Sequence, residues 1–380
     1  MRALTGARLF TGEAMLDGFA LVLEGERIVD LVPDGNIPAG AAVVRCPQGS
    51  ILAPGFIDAQ ANGAGGVLFN DEPTEAAVLA IAKALRRSGG TGLLPTLITD
   101  DRAKMAKAAE AVIAASRHPG SGILGIHFEG PFISPSRPGV HDPRYIRPLA
   151  EEDIAFLTSL PERLPQGRVL LTLAPEQVED GAIARLAESG IVLSAGHTIA
   201  SFERTCSAIE HGLRGFTHLF NAMPGISSRQ PSVTTAALTS HTTWCGIIVD
   251  GIHVHPAVLK MALAAKGLDR FFLVTDAMPP VGTNATTFEL YGRRILRREG
   301  RLVTEDGTLA GADIDMASAV RNSVHMLGLP LEEALAMASL RPAEFLRLDD
   351  RFGRLAPGYR ADLVLLGQNL EVLKTWVGGE

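Results

Sequence analysis

The feature that most constrains this chain is a series of eight short apolar runs, most of which end on or next to a residue able to do chemistry. They span residues 51–59, 92–98, 123–129, 169–174, 191–196, 215–219, 245–250 and 271–276. Their mean spacing, roughly 30 residues, is the length of one strand–helix–strand unit. Between the first two runs Val78, Ile81, Ala82 and Leu85 form an i, i+3, i+4, i+7 stripe, the mark of an amphipathic helix. Pro256 opens another helix at its favoured first position, and Gly267 closes it. Eight buried strands alternating with helices predict an α/β chain folded as a (β/α)8 TIM-like barrel over residues 51–350. A doubly wound sheet fits less well, since no glycine-rich dinucleotide fingerprint follows an early strand.

The chain ends have a different texture. Residues 1–50 read as short strands between glycine turns, for example 19–23 and 27–32, and strand texture returns at 361–366 after a helix at 331–340. We expect these ends, 1–50 plus 351–380, to form one small β-sandwich domain. Residues from about 284 to 310 read as a β-hairpin insertion turning at Glu305-Asp306-Gly307.

Charge and composition remove several function classes. Lys and Arg number 35 against 42 acidic residues, a net −7 in which no run of Lys and Arg stands out, which argues against a nucleic-acid footprint. No apolar stretch reaches the ~18 residues that a membrane helix needs. Cys46, Cys206 and Cys245 are far apart and match no paired metal spacing, as expected in a reducing compartment. The opening Met-Arg-Ala-Leu-Thr-Gly lacks a signal-peptide core, so the expected location is cytoplasmic. A small anionic substrate remains compatible, because a few local donors override a mildly acidic surface.

In such a barrel the chemistry sits at the carboxyl ends of the strands. There the sequence places Asp58-Ala-Gln60-Ala-Asn62, His127-Phe-Glu129, Gly196-His197, Thr217-His218, Asp250-Gly-Ile-His253 and Thr275-Asp276. Glu129, His197 and His218 make a catalytic zinc set, two imidazoles and a carboxylate with a fourth position open to water. Asp276 is the candidate to take a proton from that water and return it to a leaving amine, a transfer that amide hydrolysis requires. Asp58 reads equally well as a turn cap. His211 and His325, on helices, and His118, beside a helix end, read as surface or packing residues.

Together these segments resemble the N-acetylglucosamine-6-phosphate deacetylase family of the amidohydrolase superfamily. The resemblance runs from Pro54-Gly-Phe-Ile-Asp through His127-Phe-Glu129-Gly-Pro-Phe, Ser194-Ala-Gly-His197-Thr and Thr217-His218-Leu-Phe-Asn221-Ala222-Met-Pro. It continues through Asp250-Gly-Ile-His253-Val, Val274-Thr-Asp276-Ala and Leu309-Ala-Gly to Pro357-Gly-Tyr-Arg-Ala-Asp-Leu-Val. Many amidohydrolases carry His-x-His where this chain has Gln60-Ala-Asn62, and amides are poor metal ligands. The resemblance therefore implies one divalent ion per subunit, on Glu129, His197 and His218, with zinc expected first and iron, manganese or cobalt able to use the same set.

It further implies that His141 contacts and polarises the acetamido carbonyl. Asn221, Ala222, His253 and Arg229 would bind phosphate, the first two through backbone N–H groups. Arg229 would come from the neighbouring subunit of a homodimer. The reaction implied is hydrolysis of N-acetyl-D-glucosamine 6-phosphate to D-glucosamine 6-phosphate and acetate. Deacetylation of another amino sugar phosphate, such as N-acetylgalactosamine 6-phosphate, is the alternative. A non-catalytic sugar-phosphate-binding barrel is a further one, against which the intact water-activating set argues.

Overall fold

The computed structural model describes residues 1–164 and 166–380. Its centre is an eight-stranded parallel sheet of β1 (Phe56–Ala61), β2 (Gly90–Ile98), β3 (Gly125–Glu129), β4 (Arg168–Leu173), β5 (Val192–Ala195), β6 (Leu213–Phe216), β7 (Trp244–Ile247) and β8 (Phe271–Leu273). Each strand pairs with its sequence neighbour, the order right-handed βαβ crossovers produce. The ring closes between β8 and β1 through one parallel bridge, Ala61 to Ala277, and through Asp276 N–H donating to the Gln60 carbonyl at 2.9 Å. This is the expected (β/α)8 barrel.

Helices cover the outside of the ring. In α1 (Glu75–Arg86) the Thr74 hydroxyl accepts from the Ala77 N–H and caps the first turn, and the stripe Val78, Ile81, Ala82 and Leu85 is buried. Burying each of the larger side chains contributes about 1.5–3 kcal/mol. The helix Pro256–Lys266 begins on its proline and ends at Gly267, whose φ of +88° a residue with a Cβ adopts only under strain. Among the described residues no helix is long and apolar enough to cross a membrane.

Two boundaries differ from expectation. The apolar run 51–59 splits at Gly55: Ile51–Pro54 joins the small domain, and only Phe56 onward enters the barrel. A Cβ on Gly55 would lie 2.1 Å from the Thr91 hydroxyl, so the chain passes there only without a side chain. The insertion is also more than a hairpin. It forms a four-stranded meander of Thr287–Leu290, Arg293–Arg298, Arg301–Val303 and Leu309–Ala312, turning at Glu305-Asp306-Gly307 between the last two. Leu290, Ile295, Leu302 and Ala310 pack it onto Ile98, Val140 and Met278.

The small domain holds two sheets. One orders Arg27–Pro33, Phe19–Glu24, Arg2–Thr5 and Ala42–Arg45; the other orders Val372–Trp376, Leu363–Leu366, Ile51–Pro54, Arg8–Phe10 and Met15–Leu16. Leu4, Leu9, Leu21, Leu52, Leu363 and Trp376 share a core of their own.

Candidate functional site

Four side chains meet at the carboxyl end of the ring. Glu129 closes β3, whereas His197, His218 and Asp276 lie two or three residues past the ends of β5, β6 and β8. Those three have φ values of +48°, +33° and +51°. Left-handed backbone costs a non-glycine residue about 1–2 kcal/mol, and it persists where packing over-determines it, commonly at functional sites.

Glu129 Oε1 lies 3.1 Å from His197 Nε2 and 2.9 Å from His218 Nε2, and the two nitrogens are 3.2 Å apart. His197 Nδ1 donates to the Arg137 carbonyl at 2.8 Å, which leaves its Nε2 a bare lone pair facing the carboxylate. Three donor atoms on a triangle of these sides suit one shared cation: ligands of a tetrahedral zinc lie about 3.3 Å apart. The donor set thus fits a metal ion. His141 also approaches it, since Glu129, His141 and His197 each offer a ligand atom within 4.8 Å of the others. All of these residues are buried. Burial alone would raise the Glu129 carboxyl, but the close approach of His197 and His218 holds it well below its ordinary value.

The amides at the end of β1 grip the carboxylates. Asn62 Nδ2 donates to Asp276 Oδ1 at 2.7 Å, and Gln60 Nε2 lies 3.2 Å from both Asp276 Oδ1 and Glu129 Oε2. Burial, then the charge of Glu129, pushes the Asp276 carboxyl up to about 6. His141 packs against His197 with ring centroids 4.3 Å apart, and its Nδ1 is 2.7 Å from the Thr99 hydroxyl. Burial and the neighbouring His197 push its ring down to about 3, so it is neutral.

A cavity of about 400 Å³ opens above this set. Asn221, Ala222 and His253 line it on one side, and Gly307, Thr308 and Leu309 of the insertion on another. The Asn221 backbone N–H is already donated to the His218 carbonyl at 3.0 Å. Of the two N–H groups expected to face an anion, that one is therefore used within its own turn. Arg229 sits exposed on the loop between Ala222 and Ser232 and does not line the cavity. Asp58 lies below the site, accepting from the Thr275 hydroxyl. His118 pairs with Glu75 at the surface, and His211 and His325 stay at helix ends.

Several contributors escaped the sequence reading. Thr99 holds His141, the Arg137 carbonyl fixes the His197 tautomer, and Asp250 holds His253. Only Asp250 left a trace, three residues before the histidine it contacts.

Comparison with known proteins returns a consistent picture. The amidohydrolase family model matches residues 51–380, and the NagA composite domain matches residues 1–45. The chain is similar to an N-acetylgalactosamine-6-phosphate deacetylase of a Shewanella species, with 44% identity covering 88% of this chain and 84% of that protein. Among solved structures, N-acetylglucosamine-6-phosphate deacetylase from Pasteurella multocida superposes with a TM-score of 0.95 at 35% identity, covering 100% and 98% of the two chains. A variant of the Mycobacterium smegmatis enzyme in complex with N-acetyl-D-glucosamine-6-phosphate gives 0.91 at 30% identity, covering 100% and 98%.

Proposed function

This chain belongs to the amidohydrolase family, within its N-acetylglucosamine-6-phosphate deacetylase branch, and from that premise we propose that it hydrolyses N-acetyl-D-glucosamine 6-phosphate to D-glucosamine 6-phosphate and acetate. The observation that carries this reading is the convergence of Glu129, His197, His218 and Asp276 on one cavity of sugar-phosphate size. Glu129, His197 and His218 would hold one divalent ion, zinc before iron, manganese or cobalt. When bound, such an ion polarises a carbonyl oxygen and brings a water to a pKa of about 7.

The chain's own residues do the rest. Asp276 accepts the water proton as its oxygen attacks the acetyl carbon, and Asn62 and Gln60 hold the carboxylate oriented for that transfer. Asp276 then gives the proton to the sugar nitrogen, so that a neutral amine departs. His141 faces the acetyl oxygen; in the tautomer whose Nδ1 accepts from the Thr99 hydroxyl, the ring proton sits on Nε2 as a donor for the developing negative charge. Ala222 and His253 meet the phosphate, with Asn221 shaping the turn between them and the metal ligands. Arg229 completes the phosphate contact from the neighbouring subunit of a homodimer.

The Shewanella relative favours a second reading, in which the galacto epimer is the preferred substrate. Acetate release is measured on both 6-phosphates and on unphosphorylated N-acetylglucosamine, with the metal content assayed alongside. We expect turnover of the phosphorylated sugars and one tightly held ion per subunit. A metal-free protein that releases no acetate from any of the three would end the proposal.

A further inference from the structure

His253 reaches the cavity wall on the loop that follows β7, and the structure shows what holds it there. Its Nδ1 lies 2.6 Å from Asp250 Oδ2, and both side chains are 7% exposed. The other carboxylate oxygen accepts from the backbone N–H groups of Ile252 and His253 at 2.8 and 2.9 Å. Two further features fix the loop. Asn322 Nδ2 donates to the Val249 carbonyl at 2.8 Å, and Gly251 takes a φ of +73°, a left-handed backbone that favours glycine. Burial would raise the Asp250 carboxyl, yet the His253 contact and the two N–H donors hold it below its ordinary value.

A carboxylate facing Nδ1 accepts a proton from it. The remaining nitrogen, Nε2, then donates to an anion only when the ring is doubly protonated. An acid behind an imidazole stabilises that form, as in the hydrolytic triad, where it fixes the tautomer and supports the imidazolium. We infer that Asp250 is a positioning residue that holds His253 as a cationic Nε2–H donor for the phosphate of the substrate. This rests on the phosphorylated sugar proposed above. The pair keeps its negative end behind the cavity wall and its positive end toward the ligand, where a charge-assisted hydrogen bond is strongest.

The test is a cycle of Asp250→Asn, His253→Gln and the double variant, read as the ratio of kcat/KM on N-acetylglucosamine 6-phosphate to that on N-acetylglucosamine. Asparagine keeps an oxygen for the two backbone N–H groups, but its amide donates to Nδ1 and leaves a neutral ring. We expect Asp250→Asn to lower that ratio about tenfold, mostly through KM, and the double variant to fall no further than His253→Gln alone. An unchanged ratio in Asp250→Asn, or losses that multiply in the double variant, would overturn the inference. Should Asp250→Asn melt early, Asp250→Glu, which keeps the charge, is expected to retain most of the ratio; a Glu variant as poor as Asn also overturns it.

Competitive inhibition by inorganic phosphate separates this inference from the functional reading. If the wild type shows no preference for phosphorylated sugar, the functional reading falls. The Asp250–His253 pair is then judged by phosphate inhibition alone, which must weaken equally in both single variants.

Discussion

Gln60 and Asn62, which the family resemblance reads as replacing a second metal position, aim their amide N–H groups at carboxylate oxygens of the site. Asn62 meets Asp276 Oδ1, and Gln60 meets both Asp276 and Glu129 Oε2. On the proposed reading, these two neutral donors orient Asp276 and leave it to carry the proton transfer. Replacing them, as Gln60→His with Asn62→His, should raise bound divalent metal from one toward two per subunit and cost turnover by engaging Asp276; elemental analysis that still finds one ion would refute this. Asp276→Asn should retain metal and substrate binding while kcat falls about 10²–10⁴-fold, the usual contribution of a proton-transferring group, and kcat within tenfold of the wild type would remove Asp276 from its role. Glu129, His197, His218 and Asp276 were legible in the sequence because each closes or follows an apolar run. Thr99 was not, because a hydroxyl that serves another side chain carries no mark of its partner, and Asp250 showed as a strand-end acid without its tie to His253.

At the scale of elements, the working residues gather at the seam of the barrel, where β8 meets β1. The three-residue β8 is short, and polar contacts take over: Asp276 N–H to the Gln60 carbonyl, Asn62 N–H to the Ala277 carbonyl at 2.9 Å, and the Thr275 hydroxyl to Asp58. Asp58 is fully buried there, and that burial raises its carboxyl from 3.8 to about 7. The acid is therefore neutral in the fold at mildly acidic pH. Its contribution to stability is complete below its unfolded pKa and is lost as pH rises through about 7. At about 1.36 kcal/mol per pKa unit, the swing approaches roughly 4 kcal/mol. Asp58→Asn, neutral at every pH, should gain on the wild type by up to that amount between pH 4 and pH 8 in urea unfolding, and a constant difference between the two proteins would contradict it. The sequence showed eight strands but not that 51–54 belongs elsewhere, because an unbroken apolar run hides a change of partner. The insertion read as a hairpin and not as four strands, since in Arg293–Arg298 four arginines flank the buried Ile295 and the half-buried Leu296.

At the scale of the whole molecule, the proposed homodimer makes each site depend on two chains, which a mixing experiment can show. Arg229 is exposed and away from its own cavity. Subunits carrying Arg229→Ala and subunits carrying Asp276→Asn are each expected to be weak at low substrate. Refolded together in equal amounts, half of the pairs are mixed, and each mixed pair holds one site with an intact Asp276 and a borrowed Arg229. Recovery of about a quarter of wild-type activity is expected from that count, whereas no gain over the parents would place Arg229 in its own subunit's site. The small domain has a consequence of another kind. Ile51–Pro54 is flanked in its sheet by Arg8–Phe10 on one side and Leu363–Leu366 on the other. During synthesis, then, the nascent chain carries a naked apolar edge for more than 300 residues of elongation, and only the final stretch to leave the ribosome can cover it. A message cut short near its 3′ end would yield a protein with every catalytic group in place and a sticky flank, destined for chaperones or precipitate rather than for slow catalysis.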